Sequence, residues 1–209
     1  MILRSFSVPP LGCNCSILGD PVTKQALVVD PGGDAERILE DLRGLGLTVS
    51  RIVHTHAHFD HFLASGEMQK ATGAPLCLHR DDRELWENLE LQCRIFGVPY
   101  VPVPPPNEWL NDEEPLSLGD IQGIALHTPG HTPGSMCYHF PVAKLLLAGD
   151  TLFLQLQVFV VSKSAGWIVE RALYDGSWLS TRNALARSLI RNMEQGRGCD
   201  IRMVGVLGS

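Results

Sequence analysis

Residues 54–61 read His-Thr-His-Ala-His-Phe-Asp-His, which places four histidines and one aspartate within eight positions. The stretch follows the apolar pair Ile52-Val53, typical of a strand end, and precedes a stretch with a helical pattern. One turn therefore presents four side chains that can bind a metal ion: His56, His58, Asp60 and His61. Imidazole nitrogen and carboxylate oxygen hold zinc, iron and manganese in enzymes, so the stretch predicts a metal site. The alternative is a solvated His-rich loop.

Two partners further along the chain favour the metal site over the solvated loop. His131 lies in Thr-Pro-Gly-His-Thr-Pro-Gly-Ser, residues 128–135, where two Pro-Gly pairs predict a tight turn with the imidazole at its tip. Asp150 ends the apolar run that begins at Lys144, and a glycine precedes it. A strand ending there would deliver a carboxylate at its carboxyl end.

The order of predicted elements indicates two sheets packed face to face with helices outside. Strands are predicted at 2–7, 15–18, 26–30, 49–54, 75–78, 121–127, 135–140, 144–149 and 201–207. Helices are predicted after a cap at Asp34, over 62–72, over 80–96 and over 180–195. No repeat or domain linker is evident, so 1–209 is predicted to be a single domain.

Composition excludes several classes of protein. The 209 residues are 44% hydrophobic and 19% charged, as in ordinary globular proteins, and the net charge is −6. The absence of a basic stripe argues against nucleic acid as a partner, and no apolar run is long enough to span a membrane. The start lacks the apolar region of a signal peptide, and the six cysteines form no Cys-x-x-Cys pair. We expect a cytoplasmic protein, with an organelle matrix as the alternative.

The order His-x-His-x-Asp-His, then Pro-Gly-His, then Gly-Asp-Thr resembles the metallo-β-lactamase superfamily, and within it the small glyoxalase II-like metal hydrolases. Asn14-Cys15, the segment 29–33 and Trp109-Leu110-Asn111 resemble it too. The likeness covers roughly residues 1–153. It implies an αββα sandwich of two mixed sheets with helices on the outer faces, with the metal loops along one edge.

Residues 152–209 depart from the family pattern. The family has a glycine-rich loop ending in Gly-Arg after Gly-Asp-Thr, and a late Gly-His-Gly supplies another ligand. Here residues 152–161 are apolar and lack glycine, and no histidine follows His139. The departure is either a divergence of this chain or an altered C-terminus. An apolar run of this kind either completes the core or promotes self-association.

The resemblance implies specific roles for the matching residues. His56, His58 and His131 would bind a first metal, Asp60 and His61 would help to bind a second, and Asp150 would bridge the two. Asp60 would also orient the attacking hydroxide, which makes it the candidate catalytic residue. The expected cofactor is zinc, one or two ions, with iron or manganese as alternatives. Position in the sequence adds two candidates to support a ligand: His54, which lies two residues before His56 on the predicted strand and would point to the same face, and Asp30, which closes the strand before Pro31.

Three hypotheses follow for function. The first is a metal-dependent hydrolase in which metal-bound hydroxide attacks a thioester or ester of a small molecule, as in glyoxalase II. The second is a catalytically impaired metal-binding domain, because the last ligand histidine is absent. The third is a mononuclear iron enzyme of the persulfide dioxygenase type, which needs two histidines and one carboxylate.

Overall fold

The first six strands of the chain form one mixed sheet, ordered β1 to β6 along the chain. The strands are β1 (Ile2–Val8), β2 (Cys13–Gly19), β3 (Gln25–Val29), β4 (Thr48–Val53), β5 (Leu76–His79) and β6 (Glu108–Leu110). The pairs β1–β2 and β2–β3 are antiparallel, whereas β3 to β6 run parallel. The carboxyl ends of β3, β4, β5 and β6 therefore meet at one edge.

A second sheet faces the first. Its strands are β7 (Glu114–Leu118), β8 (Ile121–His127), β9 (Met136–Phe140), β10 (Leu145–Gly149) and β13 (Arg202–Gly205), and β11 (Phe159–Lys163) and β12 (Gly166–Glu170) form a separate hairpin. The strands β7 to β10 are antiparallel neighbours, and β13 pairs parallel to β10. The computed structural model describes residues 1–151, 159–163, 166–170 and 202–205.

Helices cover the outer face of the first sheet. They are α1 (Ala35–Leu45), α2 (Ser65–Thr72), α3 (Arg83–Glu87) and α4 (Leu89–Phe96), with 3-10 turns at Phe59–His61 and Arg80–Asp82. Ile38 of α1 and Met68 of α2 pack in one buried cluster with Val28 and Ile52 of the sheet. None of the helices in these described ranges is both long and apolar enough to span a membrane.

A separate cluster fills the space between the sheets. Leu27 and Val53 of the first sheet pack there with Tyr138, Phe140 and Leu147 of the second. Successive residues of β3 thus enter opposite clusters, because side chains alternate along a strand. Its near-continuous apolar sequence follows from burial on both faces. The predicted fold class, two mixed sheets with helices outside, is confirmed.

The structure differs from the predicted elements at several places. Strands β6 and β7 form where no strand was predicted. The helix predicted over 80–96 is interrupted at Asn88, whose side-chain amide donates to the Glu84 carbonyl and so competes with the helical backbone pattern. The helix predicted over 62–72 begins at Ser65. Asp34 has a left-handed backbone and its side chain makes no capping hydrogen bond. The helix predicted over 180–195 lies outside the described residues.

Candidate metal centre

The metal-binding motif lies where strand ends of the two sheets meet. The residues after β4 form a loop and a 3-10 turn, and β9 of the opposite sheet starts beside them. The Met136 amide donates to the Thr55 carbonyl at 2.7 Å, and the Tyr138 hydroxyl donates to the His54 carbonyl at 2.5 Å. These bonds tie the motif's backbone to the second sheet, which carries His131 in the turn between β8 and β9 and Asp150 directly after β10.

Three histidines point one ring nitrogen each at a common point. Nδ1 of His58 lies 3.1 Å from Nε2 of His56 and 3.0 Å from Nε2 of His131. The three rings are mutually edge-on, with every pair of centroids 4.7 Å apart and interplanar angles of 83°, 84° and 88°. This is a threefold, inward-facing arrangement of nitrogens.

The chemistry of a ring nitrogen shows that this arrangement fits a metal ion. Such a nitrogen carries either one proton or one lone pair, so Nδ1 of His58 cannot hydrogen-bond well to both neighbours at once. An ion at the centre satisfies all three nitrogens. Ligand atoms of a tetrahedral zinc lie about 3.3 Å apart when each is 2.0–2.1 Å from the metal, close to the separations found here.

Burial keeps these imidazoles neutral, as metal ligands must be. Desolvation lowers the pKa of His56 well below its ordinary value, and the neighbouring imidazoles lower it further. For the same reasons the pKa of His58 is about 4. Burial also lowers the pKa of His131, although the charge of Asp150 opposes the shift.

The tautomer of His56 follows from its second nitrogen. Nδ1 of His56 is 3.1 Å from the Thr55 hydroxyl, which donates to Oδ2 of Asp30 at 2.7 Å. Because the hydroxyl proton is donated to Asp30, the hydroxyl oxygen accepts a hydrogen bond from the Nδ1–H group of His56. Nε2 of His56 is thereby left with its lone pair toward the centre.

A second set lies beside the three histidines. The ligand atoms of His56, His61 and Asp150 also lie within 4.8 Å of one another, so this group shares His56 with the first. Because one ring nitrogen binds one ion, a second ion beside the first would be held by His61 and Asp150 without His56. Oδ1 of Asp150 is 3.4 Å from Nε2 of His61, whereas Oδ2 is 3.4 Å from Nε2 of His131. The two oxygens of Asp150 thus face one set each. Asp60 is 3.7 Å from Nε2 of His61 and belongs to neither group of three.

The second set also suits a cation. Nε2 of His61 and Oδ1 of Asp150 are buried and make no hydrogen bond of good geometry, and Nδ1 of His61 faces the Asp30 carboxylate at 3.1 Å. Although burial disfavours charge on His61, the surrounding negative charge, including that of Asp30, raises its pKa well above the ordinary value. The neighbouring carboxylates therefore favour a positive charge at this position. A proton on His61 supplies that charge, and a divalent ion would supply it as well.

Gly149 lets Asp150 reach the centre. A Cβ on Gly149 would lie 2.3 Å from the Thr55 hydroxyl oxygen and 2.6 Å from the Thr55 Cβ, and its φ is +48°. Only glycine tolerates both the contact and the left-handed backbone. The Gly-Asp pair singled out in the sequence therefore has a steric reason.

The six residues proposed from the sequence thus lie around one edge, but His54 differs from expectation. Strand β4 ends at Val53, so strand alternation does not carry His54 to the same side as His56. The ring of His54 instead contacts the Cys77 carbonyl at 3.0 Å and the Ser65 hydroxyl at 2.7 Å. Asp30, by contrast, does lie beside a predicted ligand, as expected.

A third group of possible ligands, His79, Asp81 and His127, is held by other interactions. The imidazoles of His79 and His127 stack with centroids 3.9 Å apart. Nε2 of His127 is 2.8 Å from the Pro133 carbonyl, and Nδ1 of His79 accepts from the Asp81 amide. These contacts give both histidines a structural role.

Sequence reasoning missed three residues that hold the motif in place. Thr55 lies inside the motif but carries no ligand signal of its own. Gln92 of α4 accepts from the Phe59 amide at 3.0 Å and donates to the Ala57 carbonyl at 3.2 Å. Asp82 accepts from the Ala57 amide at 2.9 Å. The only available signal was the position of Asp82 shortly after a buried strand.

Comparison with known proteins agrees with this geometry. The profile of the metallo-beta-lactamase superfamily matches residues 8–189. Hydroxyacylglutathione hydrolase GloC of Haemophilus influenzae is 35% identical over 142 residues, 67% of this chain and 66% of the relative.

Two solved structures are similar over larger parts of the chain. The BLEG-1 B3 metallo-beta-lactamase is 34% identical with a TM-score of 0.67, and the match covers 74% of each chain. TTHA1623 in a di-iron-bound form is 26% identical with a TM-score of 0.69, over 99% of this chain and 92% of the other. The chain belongs to the metallo-β-lactamase superfamily and groups with its metal-dependent hydrolases.

Proposed function

We propose that the protein hydrolyses a thioester or a related ester of a small molecule, using zinc held by His56, His58 and His131. The threefold convergence of these ring nitrogens at 3.0 and 3.1 Å carries the proposal. The similarity to a hydroxyacylglutathione hydrolase supports a thioester substrate. Iron is the alternative metal, because the similar protein TTHA1623 has been solved in a di-iron-bound form.

A divalent ion in this site would supply two things: it would lower the pKa of water from 15.7 toward about 7, and it would polarise the carbonyl under attack. The protein's part is to present neutral imidazoles. Because the pKa values of His56 and His58 are lowered, both imidazoles are neutral throughout the neutral pH range. Asp150 faces both ligand sets and could add a ligand to either.

Asp60 is the proposed proton acceptor for the attacking water. Burial raises the pKa of Asp60 above its ordinary value, and the Asp150 carboxylate raises it further, while His61 opposes the shift. A carboxylate with a raised pKa is a better base than an exposed one. Its position 3.7 Å from His61 places it beside the second set.

The test is thioester hydrolysis by protein loaded separately with zinc, manganese and ferrous iron. S-lactoylglutathione and a short acyl thioester without glutathione would be compared by following thiol release. We expect turnover with the loaded protein and none with the His58→Ala variant. Oxygen uptake with glutathione persulfide by the iron form would instead indicate the dioxygenase, and metal binding without either reaction would indicate an impaired domain.

A further inference from the structure

Asp82 connects the two loops that carry the three histidines. Its Oδ2 accepts from the Ala57 amide at 2.9 Å, between His56 and His58, and from the Thr132 hydroxyl at 2.8 Å, next to His131. Its Oδ1 accepts from the Gly134 amide at 2.6 Å. One fully buried side chain thus links a loop of the first sheet to a turn of the second.

The site requires an acceptor at every contact. The partners of Asp82 are two backbone N–H groups and one hydroxyl, all of which donate to it. A carboxylate accepts at both oxygens, whereas an amide would turn an N–H group toward one of these donors. An isosteric change from Asp to Asn therefore removes the charge and at least one of the three hydrogen bonds without altering the side chain's shape.

The turn is shaped to admit this carboxylate. A Cβ on Gly134 would lie 2.7 Å from both Cγ and the amide nitrogen of Asp82. The turn is further fixed by Ser135, whose hydroxyl accepts from the Thr132 amide at 2.9 Å. The second Pro-Gly of the repeated sequence thus allows close approach of Asp82, whereas the first lies beside His131.

We propose that Asp82 is a positioning residue that sets the distance between His131 and the pair His56–His58, and thereby the metal affinity of the three-histidine set. The inference rests on the proposed metal centre. It goes beyond that centre by assigning control of affinity to a residue that contacts no ligand ring and is contributed by neither ligand loop.

Asp20 provides a matched control within the chain. It too is buried, and its carboxylate accepts from two backbone amides, of Val22 and Asp120, and from the Thr23 hydroxyl. It lies at the other end of β3 from Asp30, because its own amide bonds to Gln25 at the start of that strand. A change at Asp20 should therefore cost similar stability without reaching the metal centre.

The experiment measures zinc affinity by competition with a chromophoric chelator, for wild type, Asp82→Asn, Asp82→Ala, Gly134→Ala and Asp20→Asn, each with a thermal melt. Loss of an outer partner of a metal ligand typically weakens affinity 10–100-fold. We expect such a loss for Asp82→Asn and Gly134→Ala, a larger one for Asp82→Ala, and none for Asp20→Asn despite a comparable drop in Tm. The absorption spectrum of the Co²⁺-loaded protein should change in the Asp82 variants and stay unchanged in Asp20→Asn.

The possible results separate the two proposals. Wild-type protein that fails to bind zinc would overturn the metal centre itself. Tight binding by wild type with equal affinity in Asp82→Asn would overturn the role of Asp82 alone. Equal losses in Asp82→Asn and Asp20→Asn would also overturn it, because affinity would then follow stability. Should Asp82→Ala not fold, Gly134→Ala tests the same contact from the other side.

Discussion

The orientation of the His56 ring is fixed through its second nitrogen. Nδ1 of His56 contacts the Thr55 hydroxyl, which the buried carboxylate of Asp30 holds in place. Oδ1 of Asp30 also accepts from the Thr55 amide at 2.7 Å, so Thr55 is held at both its backbone and its side chain. The arrangement presents Nε2 of His56 as an acceptor at all times. A ligand prepared in this way binds metal without first changing tautomer.

The variant Thr55→Val tests this relay. Valine keeps the shape of threonine but removes the hydroxyl, so Nδ1 of His56 loses its acceptor and either tautomer becomes available. We expect zinc affinity to fall about 10-fold, at the lower end of the effect of losing an outer hydrogen bond. The chelator competition measures it. Unchanged affinity would show that the Thr55 hydroxyl does not control the tautomer.

Removal of a ligand ring should have a larger effect. His58→Ala and His131→Ala each leave two nitrogens in the three-histidine set, so we expect hydrolysis and zinc retention to fall by more than about 100-fold. The control is His139→Asn, because His139 is also buried but lies away from the metal loop. It is three residues along β9 from Met136, whose amide contacts that loop. Comparable losses in all three variants would point to general destabilisation.

At this scale the sequence predicted the imidazoles and carboxylates that the structure brings together, and Asp30 beside them, but not the other residues that hold them in place. Imidazoles and carboxylates at short spacing are visible in one dimension, and the Pro-Gly and Gly-Asp pairs mark where the distant ligands arrive. Thr55, Asp82 and Gln92 act through backbone groups of other segments. Such contacts depend on how the two sheets pack, and no local pattern reveals them.

The loop after β4 is also secured by a neutral histidine in the core. His54 stacks on Phe62 with ring centroids 3.6 Å apart, and burial lowers its pKa to about 4. The unfolded chain has an ordinary histidine pKa near 6.5 and therefore binds the proton more readily. The stability contributed by neutral His54 is present above about pH 6.5 and is lost as the pH falls toward 4.

We predict that metal-free protein loses roughly 2 kcal/mol of unfolding free energy through His54 between pH 7 and pH 5. Urea unfolding of wild type and His54→Asn, both with chelator, measures it. The variant starts less stable, since it lacks the stacking with Phe62, but should show the smaller decline with acid. Parallel declines would mean that His54 does not stay neutral in the folded protein.

Among the elements, long apolar strands were predictable and interruptions were not. The strands β3 and β10 carry nearly continuous apolar residues because both their faces are buried, and their bounds fall within one residue of expectation. The break at Asn88 depends on one side-chain bond to the Glu84 carbonyl. A helical pattern alone does not show that bond.

For the molecule as a whole, the two sheets bring the ligands together from distant parts of the sequence. All six candidate residues lie at or before Asp150, so the centre is built by the part of the chain that resembles the family. The strand predicted over 201–207 does form as β13, parallel to β10. The predicted self-association stays a prediction, which size-exclusion chromatography with light scattering at several concentrations would test.

The two ligand sets should differ in affinity. The three-histidine set has converging neutral nitrogens, whereas the second must displace a proton from His61, whose pKa is raised. We therefore expect the first ion to bind much more tightly than the second.

The most direct test of the central claim is the zinc content that wild type and His58→Ala retain after loading and dialysis, measured by elemental analysis. The proposed centre predicts close to one tightly retained ion per wild-type chain and almost none in the variant. Wild-type protein without zinc, or a variant that keeps as much as wild type, would contradict the assignment of the three-histidine site.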